Sequence, residues 1–140
     1  MAEVRLALTD DKIARCFPVM AHLRPYLLAV EFVGRIRTQQ AQGYYLAYLE
    51  DGGAVVAVAG FIVRDKLSSG RTMYVDDLVT DPARRSRGYG KAMLDWLQAH
   101  ARDAGCATFT LDSGTQRHDA HAFYFRERMR ATAFHFEKKL

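Results

Sequence analysis

Charged and apolar residues alternate over positions 3–8, the period of a half-buried strand, before Thr9-Asp10-Asp11 offers a helix cap and Ile13, Phe17 and Met20 fall at helical spacing. Pro25 is expected to break that helix. Positions 26–40 place Leu27, Val30, Phe32, Val33 and Ile36 in a second helical pattern, stopped by Gly43. Two β-rich runs, 44–49 and 54–63, flank Asp51-Gly52-Gly53 and predict a hairpin, because these turn residues tolerate positive φ. A further strand is predicted over 73–80. An amphipathic helix over 90–104 carries Met93, Leu97 and Ala101 on one face and is closed by Gly105. The rest reads as a strand over 106–111, with Ala107, Phe109 and Leu111 on one side, a helix over 118–128 and a final strand over 133–138. The order β-α-α-β-β-β-α-β-α-β predicts an α/β (mixed α+β) fold, a central sheet covered by helices.

No repeat, low-complexity tract or linker interrupts this pattern, and 140 residues make a single domain spanning 1–140 the expectation. Hydrophobic residues at 49% and charged ones at 26% exclude a disordered or collagen-like chain. No apolar run approaches the ~18 residues of a membrane span, and the opening residues read as a strand rather than a signal peptide, so a cytoplasmic protein is expected. Cys16 and Cys106 make no disulfide framework and read as reduced, packed thiols. Charge changes the picture more. A net charge of +4 means either a surface that attracts a polyanion or Arg residues serving one small phosphorylated ligand.

The segment Arg85-Ser86-Arg87-Gly88-Tyr89-Gly90 bears on that choice. It lies between a strand and a helix, so backbone N–H groups and the positive end of the helix dipole converge where Gly88 and Gly90 permit close approach. Arg84, Arg85, Arg87 and Lys91 concentrate charge in the same turn, as a pyrophosphate site requires. A solvated glycine turn is the plain alternative. A Walker A loop is excluded because no Gly-Lys-Ser/Thr follows, and a dinucleotide G-x-G-x-x-G fails at Met93.

These residues match the R/Q-x-x-G-x-G/A motif of the GNAT superfamily of acyl-CoA-dependent N-acetyltransferases, and the chain resembles that family along essentially its whole length. Upstream, residues 74–82 resemble its fourth strand; downstream, Ala120-His121-Ala122-Phe123-Tyr124 resembles its A-x-x-F-Y motif. The tail from Arg117 to Tyr124 is also similar to small bacterial members that include aminoalkylphosphonate acetyltransferases. The resemblance implies acetyl-CoA as co-substrate and a strand bulge that opens room for the pantetheine arm. Backbone groups of Leu78, Val79 and Thr80 would pair with that arm. The pyrophosphate would lie on Arg85, Ser86, Arg87, Gly88, Tyr89, Gly90 and Lys91, and an N–H near Val79 would stabilise the oxyanion.

The resemblance also implies catalytic roles. An amine with a pKa near ~10 must lose a proton before attack, and Asp76 stands where many relatives carry an acid. Alternation places Asp76 and Asp77 on opposite faces, so only one can face the cleft; Asp76 is the preferred base or amine anchor, with Asp77, a water relay, or a merely solvated or salt-bridged acid as the alternatives. Tyr124 matches the general acid that protonates the departing thiolate, with a core tyrosine beside Phe123 and Phe125 as the alternative. Phe123 and Arg117 join the cofactor set; Arg117 stands where relatives have Asn and could reach a phosphate. Arg128-Met129 replaces the usual Gly-Phe, so another helix cap is expected. Tyr26, Glu31, Asp112 and His118 are candidate acceptor contacts. His118 and His121 find no third ligand in the sequence, and no metal is expected.

The function these readings favour is acetyl transfer to the primary amine of a small molecule, with no membrane partner and a homodimer as a partner that relatives commonly form. A basic nucleic-acid-binding module and a catalytically idle acyl-CoA sensor are the competing readings. The first is disfavoured because the densest basic cluster lies in one turn rather than along a face with stacking aromatics.

Overall fold

Thr9 leaves the opening strand in extended backbone, and its hydroxyl accepts from the Lys12 N–H, capping the first helix as expected. In the computed structural model, which describes residues 2–85 and 87–140, the elements are β1 (Glu3–Leu6), α1 (Asp10–Leu23), α2 (Ala29–Gln40), β2 (Tyr44–Asp51), β3 (Ala54–Lys66), β4 (Gly70–Thr80), α3 (Tyr89–Asp103), β5 (Thr108–Leu111) and α4 (His118–Arg126). Pro18 lies inside α1, where it removes one helical donor, and the helix continues past it to end before Pro25. Among the described residues no helix is long and apolar enough to cross a membrane. The chain divides into two compact units, Met1–Thr110 and Leu111–Leu140.

The first unit is built on a sheet of order β1-β2-β3-β4-β5. β1 to β4 pair antiparallel, with the predicted hairpin joining β2 to β3. β5 runs parallel to β4: the Ala107 N–H donates to Arg71 O, the Thr72 hydroxyl to Thr108 O and the Thr110 hydroxyl to Met73 O, so residue numbers rise together along both strands. The period of two sorts the strands between two cores. Tyr44, Leu46, Tyr48 and Val58 pack with Ile13, Cys16, Val19 and Met20 of α1 and Phe32 and Ile36 of α2. Tyr45 and Phe61, on the other face, stack together, and Phe61 meets Trp96 and His100 of α3 edge-on. Burial of each large apolar side chain contributes about 1.5–3 kcal/mol, which is what holds three marginal helices to the sheet. Both cysteines are free thiols. Burial pushes the Cys16 thiol up to about 12, so it serves as a small apolar group.

In the second unit α4 ends in a Schellman arrangement: Met129 N–H donates to Tyr124 O and Arg128 N–H to Phe125 O. Arg128 is left-handed at φ 67°, so the expectation of a different cap is corrected. The two bonds outweigh the cost of the Arg Cβ, about 1 kcal/mol. Arg128→Gly should therefore raise stability by about 1 kcal/mol in a denaturant titration, and a loss of stability would contradict this account. The strand predicted over 133–138 is also corrected, since no strand forms there. Phe134 and Phe136 alternate with polar neighbours as in a strand, but alternation becomes a strand only when a neighbour supplies the hydrogen bonds, and both rings are exposed.

Candidate active site

Gly60 pairs with Asp77 and Phe61 with Val75, so β4 carries one residue more than β3 and Asp76 is bulged out of the ladder. The bulge corrects the expectation that Asp76 and Asp77 lie on opposite faces: two residues stand opposite Gly60, and strict alternation is interrupted between them. Their surroundings still differ sharply. Asp76 is exposed, whereas the Asp77 side chain keeps 13% of its surface accessible.

Both carboxylate oxygens of Asp77 are engaged. Arg24, just past the end of α1, donates from Nε to Oδ1 at 2.9 Å, and the Tyr44 hydroxyl of β2 donates to Oδ2 at 2.8 Å. The other arm of the same guanidinium donates to the Asp76 carbonyl at 2.9 Å, satisfying an acceptor that a bulge leaves outside the ladder. Tyr44 reaches Asp77 by lying across β3 at Gly60, where a methyl group would fall on its ring and hydroxyl. Burial first, and the Asp77 charge second, push the Tyr44 phenol well above its ordinary pKa, so it remains a donor. Arg24, Tyr44 and Gly60 escape motif reading because they come from separate elements and belong to no local pattern.

Beyond the bulge, the Asp81 N–H donates to Val56 O at 2.8 Å. Pairs alternate along an antiparallel ladder, so the backbone groups of Val79 and Asp77 also face β3, while those of Leu78 and Thr80 face the opposite edge. Near Val79, the outward N–H groups are therefore those of Leu78 and Thr80, and the Val79 N–H itself faces β3. On that edge β5 meets β4 at Arg71, Thr72 and Met73 and is four residues long, so β4 runs on past it from Asp76 to Thr80.

The turn after β4 leads into α3 through Gly88, which takes φ 79° and has open space where a side chain would stand. The first amides of α3, at Tyr89, Gly90 and Lys91, have no acceptor within the helix and point with its dipole at that space. The Tyr89 side chain turns away into the core, its hydroxyl donating to Asp51 and holding that carboxyl below its usual range, so Tyr89 offers its amide alone. Arg84 pairs with Asp81 at 3.8 Å and Lys91 with Asp95 at 3.2 Å, while Arg85 and Arg87 are exposed. Ser86 lies outside the described residues. Tyr26 and Glu31 are exposed between α1 and α2 and in the first turn of α2.

The second unit holds the remaining candidates. The Tyr124 side chain is buried, and burial raises its phenol pKa while Arg117 partly opposes the rise. The Phe123 ring lies 5.5 Å from the Tyr124 ring, and the Arg126 guanidinium stands over the Phe123 ring at 5.7 Å from its centroid. Asp112 pairs with His135 at 3.0 Å, and His118 is exposed with its ring 6.2 Å from that of His121.

Comparison with known proteins gives a consistent picture. The family model described as acetyltransferase (GNAT) family matches residues 9–129. An uncharacterized N-acetyltransferase, YhdJ, of Bacillus subtilis is 34% identical over 125 residues, 89% of this chain and 88% of the relative. An aminoalkylphosphonate N-acetyltransferase of Salmonella typhimurium is 36% identical over 66 residues, 47% of this chain and 43% of the relative. Among solved structures, a Trypanosoma brucei acetyltransferase superposes with a TM-score of 0.80 at 25% identity over the whole of both chains. The aminoglycoside N-acetyltransferase AAC(6')-Iy, solved with CoA, gives 0.87 at 13% identity, covering 100% of this chain and 95% of the other.

Proposed function

The chain belongs to the GNAT acetyltransferase family, and from that premise we propose that it transfers an acetyl group from acetyl-CoA to the primary amine of a small molecule. The observation that carries this reading is the β4 edge. Outward backbone groups at Leu78 and Thr80 lead directly to the α3 N-terminus, where Gly88 leaves open space beside three helix amides. That edge fits a long ligand with an amide-bearing arm and a diphosphate. Acetyl-CoA, when bound, supplies the thioester whose acyl group is transferred.

In this reading the chain's own groups do the rest. Leu78 and Thr80 align the arm by main-chain hydrogen bonds, and one of their N–H groups polarises the acyl oxygen. Arg85, Arg87 and the amides of Gly88 to Lys91 hold the diphosphate. Asp76, exposed at the bulge, takes the proton of the attacking amine. Tyr124 keeps its proton at neutral pH because burial raises its pKa, and gives it to the departing thiolate. The partial relative that acts on aminoalkylphosphonates makes those compounds the first acceptors to try. The test is an amine panel with acetyl-CoA, read by thiol release and by an acetyl mass gain of ~42 Da on the acceptor, the mass that exchange of an N–H for an N-acetyl must add. Thiol release with a matching acetylated product is expected; CoA-independent, salt-sensitive RNA binding instead would overturn the reading.

A further inference from the structure

We propose that Arg24, Asp77 and Tyr44 form a positioning clamp that sets the β4 bulge, and that Asp77 is thereby a structural carboxylate rather than the base. The proposal rests on the reading of β4 as the cofactor edge. Its evidence is the convergence of groups from separate elements on one irregular point. The Arg24 guanidinium spans the bulge, one arm on the Asp76 carbonyl and Nε on the Asp77 carboxylate, each at 2.9 Å. Tyr44 completes Asp77 from the opposite side at 2.8 Å, and it can do so because Gly60 leaves the strand between them bare.

Ladder pairing by itself does not fix which β4 residue is the extra one, because Asp76 has no opposite number on β3, and a shift of the bulge by one residue is opposed only by the packing of its neighbours and by the clamp. Slippage would exchange the outward and inward amides beyond it, turning Leu78 and Thr80 toward β3 and Val79 toward the cofactor edge. The clamp opposes this because both arms of one rigid fork must keep their acceptors, and those acceptors belong to consecutive residues. It also commits one of the two acids to the fold. Asp77 has both oxygens in charge-assisted or phenolic hydrogen bonds at the α1 side, whereas Asp76 is exposed. Arg24, Tyr44 and Asp77 touch neither reacting atom in this account; they act through the register of β4.

Arg24→Met removes the fork but keeps the stem, Arg24→Lys keeps the charge without the fork, and Asp77→Asn keeps an acceptor for Arg24 while removing the charge. In Arg24→Met, kcat should fall about 10- to 100-fold, the range expected when reacting groups shift by about 1 Å. KM for the amine should stay within about threefold, since the acceptor's own contacts persist. Arg24→Lys should recover only part of kcat. Asp77→Asn should lose less than about tenfold, well short of Asp76→Asn, because a general base is worth about 10²–10⁴-fold. Amide exchange in the cofactor-free protein gives a reading independent of activity: the Asp77 and Val79 amides should lose protection in Arg24→Met, while amides in β2 keep theirs.

Wild-type kcat with unchanged exchange in Arg24→Met and Arg24→Lys would overturn the clamp, as would an Asp77→Asn loss as large as that of Asp76→Asn. If the wild-type chain transfers no acetyl group, the proposed function fails, and the exchange comparison still decides the clamp. If Arg24→Met does not fold, Arg24→Lys carries the same comparison.

Discussion

Tyr124→Phe is expected to lower kcat by about 10²- to 10³-fold while leaving the affinity for CoA within about twofold. The ring keeps its packed position beside Phe123, so the loss is confined to the proton the hydroxyl carries. General acid catalysis is worth about 10²–10⁴-fold, and the effect falls in kcat because a thiolate that leaves unprotonated is a feature of the transition state and not of binding. The direction of the pKa shift matters here. Burial raises the phenol above its ordinary pKa near ~10, with Arg117 opposing, so Tyr124 stays protonated across any neutral or mildly alkaline assay. Its ionisation therefore cannot produce an alkaline fall in rate below about pH 10. Steady-state kinetics with calorimetric CoA titration separates the two quantities; unchanged kcat would remove Tyr124 from the mechanism.

Gly60→Ala should be the most damaging single methyl group in the first unit. Its Cβ would coincide with the Tyr44 ring, and Tyr44 is 4% exposed, packed in the core between β2 and the helices. The ring must leave, which costs the hydroxyl bond to Asp77 and strains the surrounding packing. Overpacking of about 1–3 kcal/mol plus about 1–3 kcal/mol for a buried polar group left without its donor gives an expected loss of about 2–6 kcal/mol. Denaturant unfolding measures it. In a Tyr44→Ala background the same substitution should cost little more than Tyr44→Ala alone, because the two act on one contact. Additive losses would show that Gly60 is needed for some other reason.

How much of this was legible beforehand depends on how local each signal is. The hairpin at Asp51-Gly52-Gly53, the Thr9 cap and the Gly88 turn are set within a few residues and follow from backbone chemistry alone. The bulge at Asp76 has no such signature. The family resemblance implies a bulge, but its place is set only in the register between β3 and β4, where the lone glycine opposite it, Gly60, is a weak local sign. Arg24 is silent, a single cation after a helix whose partners lie 52 and 53 residues away. The absent strand over 133–138 fails for the converse reason, since its local pattern is adequate and the missing ingredient is a neighbour. Arg128 shows a local rule overridden by two hydrogen bonds that only the formed helix end can make.

The outward amides of β4 carry a consequence for how this sequence can change over time. In the proposed reading, a grip made by the main chain is blind to what Leu78 and Thr80 carry as side chains, so drift at those two positions is constrained by packing alone. Proline is the exception, because it deletes the donor itself. Descendants of this chain could therefore replace either residue many times over while the cofactor edge stays readable to its ligand, and their kinship would be easier to see in backbone path than in letters.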